Sequence, residues 1–443
     1  MRLRLVAAVL MFAASARADR THAAVSGVAI DAITIDGKAA RWADLATPKK
    51  PAVYKVRFDA EGTAVGIPHC NGRERVLVDD DVVDPGSKGP LVVPLKSGPH
   101  AVTIEVKASP YEKRLACTEP PRVGAAMKTT DGLSVLKFAS PVAEKGGGEA
   151  VLFVPGGHDL AKPAALLVGT HPWNGTPWTY AAYEELVAEA GLKDVVLLFP
   201  NGLGNSLYVA DAEAEVMRAL AAAEKELAID PQRVSIWGAS MGGAGATTIS
   251  FHHPDRFASV ASYFGDSKYD LNTYVNKLFG GEENARQVNC IDVLENARWL
   301  PVFLVHGEDD HTSPMRQSTM LFDAMKKIGF AVDFERVPGM AHEGPLVVKY
   351  IRRVVDTAAT AIAPRRPPRV SFRSVRPGDL SAYGVTIVKR GDADAFVDLE
   401  RRDDGVHVLA AAGVTRIVLA PDAFGATTPL PIVGATVPVT WSQ

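Results

Sequence analysis

Compact apolar runs recur through the middle of the chain, and helical stretches separate them. Val151–Val154, Ala165–Val168, Val195–Phe199, Val234–Trp237, Ala258–Ala261 and Val302–His306 have the length and aliphatic content of buried strands. Phe330–Val337 predicts one more. Within Asp211–Leu227, Val216, Leu220, Ala223 and Leu227 return at three- and four-residue steps, which predicts an amphipathic helix. Strand and helix in alternation, from about Ala125 to Ala363, predict a mostly parallel sheet with helices on both faces.

The period changes on either side. From Asp19 to Gly124 short alternating runs and turns predict a small β-sandwich. Ala52–Phe58 reads as a strand. Leu91, Val93 and Leu95 alternate, Ser97-Gly98-Pro99 turns, and Val102, Ile104 and Val106 alternate again, with Thr103, Glu105 and Lys107 on the other face. That pattern predicts a half-exposed hairpin. Asp79-Asp80-Asp81 lacks the spacing of a calcium loop and reads as a solvated turn. Pro364-Arg365-Arg366-Pro367-Pro368-Arg369 cannot continue a helix and predicts a stiff linker over 364–369. Beyond it, residues 370–443 return to short strands at Val385–Val388, Phe396–Leu399, Val406–Leu409 and Ile417–Leu419, a second small β-domain.

Composition adds constraints. The chain has 443 residues and a formal net charge of −3. Three of its 48 basic residues, Arg2, Arg4 and Arg17, lie in Met1–Ala18, which holds no acid; without that segment the balance is −6. A mildly acidic chain lacks the footprint of a nucleic-acid binder. Met1–Ala18 itself has a basic start, a short apolar run from Leu5 to Ala14, and Ala16-Arg17-Ala18 at its end, the pattern of a signal peptide cleaved after Ala18. No run is long enough to insert in a membrane. The expectation is a secreted or periplasmic protein, in which Cys70 and Cys117 pair and Cys290 stays free and structural.

The sharpest motif is Gly238-Ala239-Ser240-Met241-Gly242-Gly243, directly after the strand Val234–Trp237 and directly before the small-residue helix Ala244–Ser250, which Pro254 ends. Strand, tight turn and helix with serine at the apex is the nucleophile-elbow pattern. A serine hydroxyl needs a base, and in this arrangement the chain order is serine, acid, histidine. The loop after Val302–Val305 offers Asp310, with Asp309 as its rival. The loop after Phe330–Val337 offers His342. His252, His253 and His306 sit at element ends and read as structural. Two backbone donors are needed for an oxyanion: Met241, after the serine, and Trp173, since Pro172 has no N–H. No metal site or cofactor motif is found; ligands packed as in Glu308–His311 rarely converge on one ion.

Over about Ala125–Ala363 the chain resembles the α/β-hydrolase superfamily. It is most similar to secreted esterases of the polyhydroxybutyrate-depolymerase and feruloyl-esterase kind, and to prolyl-oligopeptidase-like catalytic domains. The resemblance rests on Asp230-Pro231-Gln232-Arg233-Val234 leading to the Ser240 motif, on His306-Gly307 ahead of Asp310, and on Gly339 through His342. It departs from the esterase pattern at His171-Pro172-Trp173, where His-Gly-x is usual. The resemblance implies an α/β-hydrolase fold with Ser240, Asp310 and His342 as nucleophile, acid and base; the small β-sandwich domains that the patterning predicts on either side lie beyond it. About 105 residues lie between the expected cleavage site and that domain, too few for a propeller, and no acidic pair for gripping a peptide amino terminus is evident. The polar insert Gly265–Leu300 does not read as a fat-binding lid. Carboxylic esters, small or polymer-attached, are therefore the expected substrates, with a peptidase and a glycan-binding protein on a hydrolase scaffold as alternatives. Trp173 and Trp178 are candidates for stacking on a substrate ring, Trp178 equally for the core.

Overall fold

The computed structural model describes residues 19–442 apart from 23, 47–52, 69, 71, 85–90, 108–119, 128–131, 143–146, 182, 272, 280 and 393. The expected signal segment and Cys117 lie outside the described residues. Cys70 is buried and disulfide-bonded, and Cys290 is a free, buried thiol.

At the centre is a nine-stranded sheet. Its main strands are β1 (Gly132–Ala139), β2 (Gly147–Val154), β3 (Ala164–Thr170), β4 (Val195–Pro200), β5 (Ile229–Ala239), β6 (Ser259–Tyr263), β7 (Val302–Gly307) and β8 (Val332–Val337). They lie in the order β1-β2-β4-β3-β5-β6-β7-β8, parallel from β4 onward. The first two pairings, β1 with β2 and β2 with β4, are antiparallel. Asp19–His22 adds a ninth strand outside β1, so this segment joins the central sheet and not the N-terminal sheets expected from its position.

Period-two alternation sorts the strand side chains between two cores. In β3, Leu166 and Val168 face one and Ala165 and Leu167 the other; in β5, Val234 and Ile236 oppose Trp237 and Ala239. The first core is closed by α2 (Asp211–Glu226), α3 (Met241–His252) and α6 (Arg316–Lys327), through residues such as Val216, Ile249 and Leu321. The second is closed by α1 (Glu184–Leu192) and α7 (Gly344–Thr360), through Leu186, Leu346, Ile351 and Val355. Every residue of α3 is buried. The insert after β6 carries two short helices, α4 (Thr273–Phe279) and α5 (Glu282–Arg286), over a small satellite core of Tyr269, Val275 and Val288.

Ahead of this body, a six-stranded and a four-stranded antiparallel sheet share one core around Val56, Ile67, Val76 and Ile104. The hairpin expected over Leu91–Val106 is not formed. Leu91–Pro94 pairs with Ala64–Ile67 in the smaller sheet, whereas Pro99–Lys107 pairs with Val53–Glu61 and Arg73–Val78 in the larger one. Alternation identifies strands but not their partners, and here the Ser97-Gly98 turn carries the chain across the core. Asp79 and Asp80, at φ of 51° and 69°, form the turn between Arg73–Val78 and Asp81–Asp84. Arg122–Met127 pairs within the smaller sheet and runs across the expected boundary at 124.

After residue 363, two four-stranded sheets share a core around Phe372, Ile387, Val397 and Ile417. This unit is tied tightly to the end of α3 and to Cys290–Trp299. Asn296 Nδ2 donates to Phe251 O and Arg373 O, and Arg373 N–H returns to Asn296 Oδ1 at 2.6 Å. Tyr383 OH donates to Pro254 O at 2.7 Å. His252 meets Asp379, and Arg376 forks onto Glu213 of α2, which also accepts from His253.

Candidate active site

The turn between β5 and α3 is where the sequence forces an unusual backbone. Ser240 has φ 57° and ψ −123°, outside the comfortable range of any L-residue with a side chain. Strain of this kind costs on the order of 1–3 kcal/mol and persists only where surroundings over-determine it. Here they do. A Cβ on Gly242 would lie 1.8 Å from Thr170 O, and one on Gly238 would lie 2.4 Å from Gly242 O, so α3 can approach β3 and β5 only through glycine. Thr170 Oγ1 sits 2.7 Å from Gly242 O. The Tyr180 hydroxyl donates to Thr170 O and accepts the Ala239 N–H at 3.0 Å. Burial pushes the Tyr180 pKa well up, so the phenol keeps the proton it donates.

β5, β7 and β8 end at one edge of the sheet, and the three expected residues meet there. His342 Nε2 lies 2.8 Å from Ser240 Oγ, and His342 Nδ1 lies 2.7 Å from Asp310 Oδ2. Asp310 is buried. Its Oδ1 accepts the N–H groups of Thr312 and Ser313 at 2.8 and 2.9 Å. Asp309, its rival, is exposed, and its N–H donates to Met340 O. Burial alone would raise the Asp310 pKa; hydrogen bonds from His306 and His342 overturn that and hold it well below the usual carboxylate range. A charged Asp310 fixes the proton of His342 on Nδ1, which leaves Nε2 as an acceptor aimed at the serine hydroxyl. Phe264 packs on the imidazole, ring centroids 4.4 Å apart.

His306 does more than end β7. It is fully buried, with Nδ1 2.8 Å from Ser318 Oγ and Nε2 2.8 Å from Ser313 O and 3.3 Å from Asp310 Oδ2. It therefore reaches the same carboxylate oxygen that His342 contacts. Its place four residues before Asp310 was visible in the sequence; its contact was not.

A cavity of about 580 Å³ opens onto Ser240 and His342. Met241 and Trp173 both line it. Met241 begins α3, where the first N–H groups have no helical carbonyl to bond. The loop bearing Trp173 is held from below: Tyr208 OH donates to His171 O, and the buried His171 ring lies between Pro172 O and Asn201 O at 2.9 Å each. Trp178 is fully buried in the second core and takes no part in the cavity wall. Asp266 and Glu343 also line the cavity, two carboxylates the sequence reading did not single out. Asp266 follows β6, in the insert, and only the fold turns it back toward Ser240. Among the described residues no cluster of His, Cys, Asp or Glu is arranged to hold a metal ion.

A serine raised on such a turn, with an imidazole and a charged carboxylate in line behind it, is equipped to attack a carbonyl carbon. The chain is a serine hydrolase of the esterase/peptidase kind. Residues 210–359, which carry α2, the Ser240 turn, Asp310 and His342, match the prolyl oligopeptidase family, Peptidase_S9. No curated protein matches the chain. Among solved structures it is similar to an S-formylglutathione hydrolase from Agrobacterium tumefaciens (17% identity, 54% of this chain and 99% of that one, TM-score 0.46). It is also similar to Est1E from Butyrivibrio proteoclasticus (14%, 50% and 98%, 0.40). A third similar structure is the acylaminoacyl peptidase of Pyrococcus horikoshii (14%, 74% and 58%, 0.47).

Proposed function

We propose that the protein is an exported hydrolase of carboxylic esters, working through Ser240, His342 and Asp310. The observation that carries this reading is the continuous line from Asp310 Oδ2 through His342 to Ser240 Oγ, at 2.7 and 2.8 Å. Ser240 Oγ adds to the ester carbonyl carbon as its proton passes to His342 Nε2. The carbonyl oxygen becomes an oxyanion beside the N–H of Met241 and that of Trp173. His342 returns the proton to the alcohol as the C–O bond breaks, leaving an acyl-Ser240. Water, deprotonated by His342, then releases the acid. Export follows from the signal pattern that ends at Ala18.

The ester assignment rests on the leaving group. An alkoxide or phenolate departs readily, whereas an amine must be protonated in an accurately held peptide chain. The cavity holds about 580 Å³, and the part of its wall formed by Tyr180, Tyr183, Leu207, Phe264 and Val347 suits a compact apolar group. The test is kcat/KM for short-acyl and aryl esters against alanine- and proline-anilides with free amino termini. The best ester should exceed every anilide at least roughly 100-fold, about 2.7 kcal/mol. An anilide equal to the best ester assigns the chain to peptide cleavage instead.

A further inference from the structure

The charge of the cavity wall is one-sided. Asp266 and Glu343 face the space in front of Ser240, and among the described lining residues there is no lysine or arginine. Asp266 is the better placed of the two, since its surroundings withhold partners. Its Oδ1 accepts the Ser313 hydroxyl at 2.6 Å, and among the described residues none donates to Oδ2. The ionisable groups around it are Asp310, His306 and His342, and the two histidines are already bonded to Asp310, Ser240, Ser313 and Ser318. A half-buried carboxylate on the wall of an aromatic-lined cavity, with one oxygen not engaged by a protein donor, is free to accept one from a ligand. The rings of Trp173, Tyr183, Phe264 and Tyr269 stand around the same space, and their faces also attract cations.

We propose that this cavity selects substrates that carry an ammonium group close to the scissile ester, with Asp266 as the residue that receives it. The inference rests on the ester-hydrolase reading and goes beyond it by naming the substrate's charge. An ammonium supplies the donor Asp266 Oδ2 lacks and the positive charge the wall lacks. A carboxylate on the substrate would face Asp266 and Glu343 with no compensating base. The same chemistry comes from two sources, an amino-acyl group or an amino-alcohol leaving group, and both place the cation within one residue's length of the carbonyl.

The experiment has two layers at constant ionic strength. In the first, a fluorophosphonate labels Ser240, and n-butylammonium, n-butanol and n-butanoate compete for the cavity. Butylammonium should protect at a concentration at least tenfold below butanol, and butanoate should protect least. In Asp266→Asn the butylammonium advantage should fall to within about threefold of butanol, whereas Ser313→Ala, which keeps the charge, should retain it. In the second layer, alanine ethyl ester and 2-aminoethyl butyrate are compared with isobutyrate ethyl ester and butyl butyrate, which separates the acyl-side source from the alcohol-side one. Failure of the serine to label overturns the hydrolase reading and this inference with it. Labelling with equal protection by butylammonium and butanol, or an advantage that survives in Asp266→Asn, overturns the inference alone.

Discussion

Replacing Asp310 by asparagine probes the site with the least change in shape. Asp310 Oδ1 is held by two backbone N–H groups, at 2.8 and 2.9 Å, so the amide oxygen of asparagine takes that place. The amide nitrogen is then left where Oδ2 was, 2.7 Å from His342 Nδ1 and 3.3 Å from His306 Nε2. Both partners donated to a carboxylate there, and donor now meets donor. His342 relieves the conflict by carrying its proton on Nε2 and accepting at Nδ1. Nε2–H then faces Ser240 Oγ, and the base is lost without displacing a ring. Losing the correct tautomer in this way typically lowers kcat by about 10⁴, or about 5.5 kcal/mol of transition-state stabilisation. The assay is kcat and kcat/KM for a p-nitrophenyl ester, with active sites titrated and thermal unfolding recorded to show that the variant is folded. A folded Asp310→Asn variant within tenfold of wild type would refute the reasoning. So would a greater loss in Asp309→Asn.

Four further outcomes follow from features described above. His306→Asn should lower kcat about tenfold with KM nearly unchanged, since His306 touches Asp310 and not the cavity; a change confined to KM would contradict its place behind the acid. Burial opposes charge on Glu213, yet hydrogen bonds from His253 and Arg376 outweigh it and bring its pKa down from 4.5 to about 2, a gap worth roughly 3 kcal/mol. A depressed carboxylate stabilises the fold above its unfolded pKa and loses that contribution as pH falls from about 4.5 toward 2, so the stability gap between wild type and Glu213→Gln should close over that window in denaturant titrations. Burial pushes the Cys290 thiol up to about 12, so native protein should resist alkylation there at pH 8 while the unfolded chain reacts, as peptide mass mapping will report. Gly242→Ala sets a methyl against Thr170 O and should destabilise by about 3 kcal/mol or more; a variant that melts with wild type would contradict the close approach of α3 to β3.

What the sequence made readable was local. A strand, a glycine-flanked serine and a helix occupy some twenty consecutive residues, and Asp310 and His342 each follow a strand of the same sheet, so the three were readable as neighbours before any tertiary contact was known. Asp266 and His306 were not, for different reasons. His306 was legible only as a histidine at a strand end four residues ahead of Asp310, and that it backs the acid lies in a 3.3 Å contact. Asp266 sits among the polar residues of an insert, where an acid is ordinarily solvated, and only the return of the chain after β6 turns it inward. The Leu91–Val106 segment failed in another way: its period was right for two strands, but no local pattern states which sheet a strand joins.

The joint between α3 and the last β-unit has a consequence for how the molecule is made. The far end of the nucleophile helix is closed by residues synthesised more than a hundred positions later: Asp379 against His252 and Tyr383 against Pro254. Translation at about 5–20 residues per second leaves that end uncovered for several seconds after Ser240 has emerged. During those seconds His252 lacks Asp379 and Glu213 lacks Arg376. A chain that stops after Ala363 stays in that state. Ribosome-bound chains halted at 363 should therefore be cut by protease near His252, and full-length chains should not.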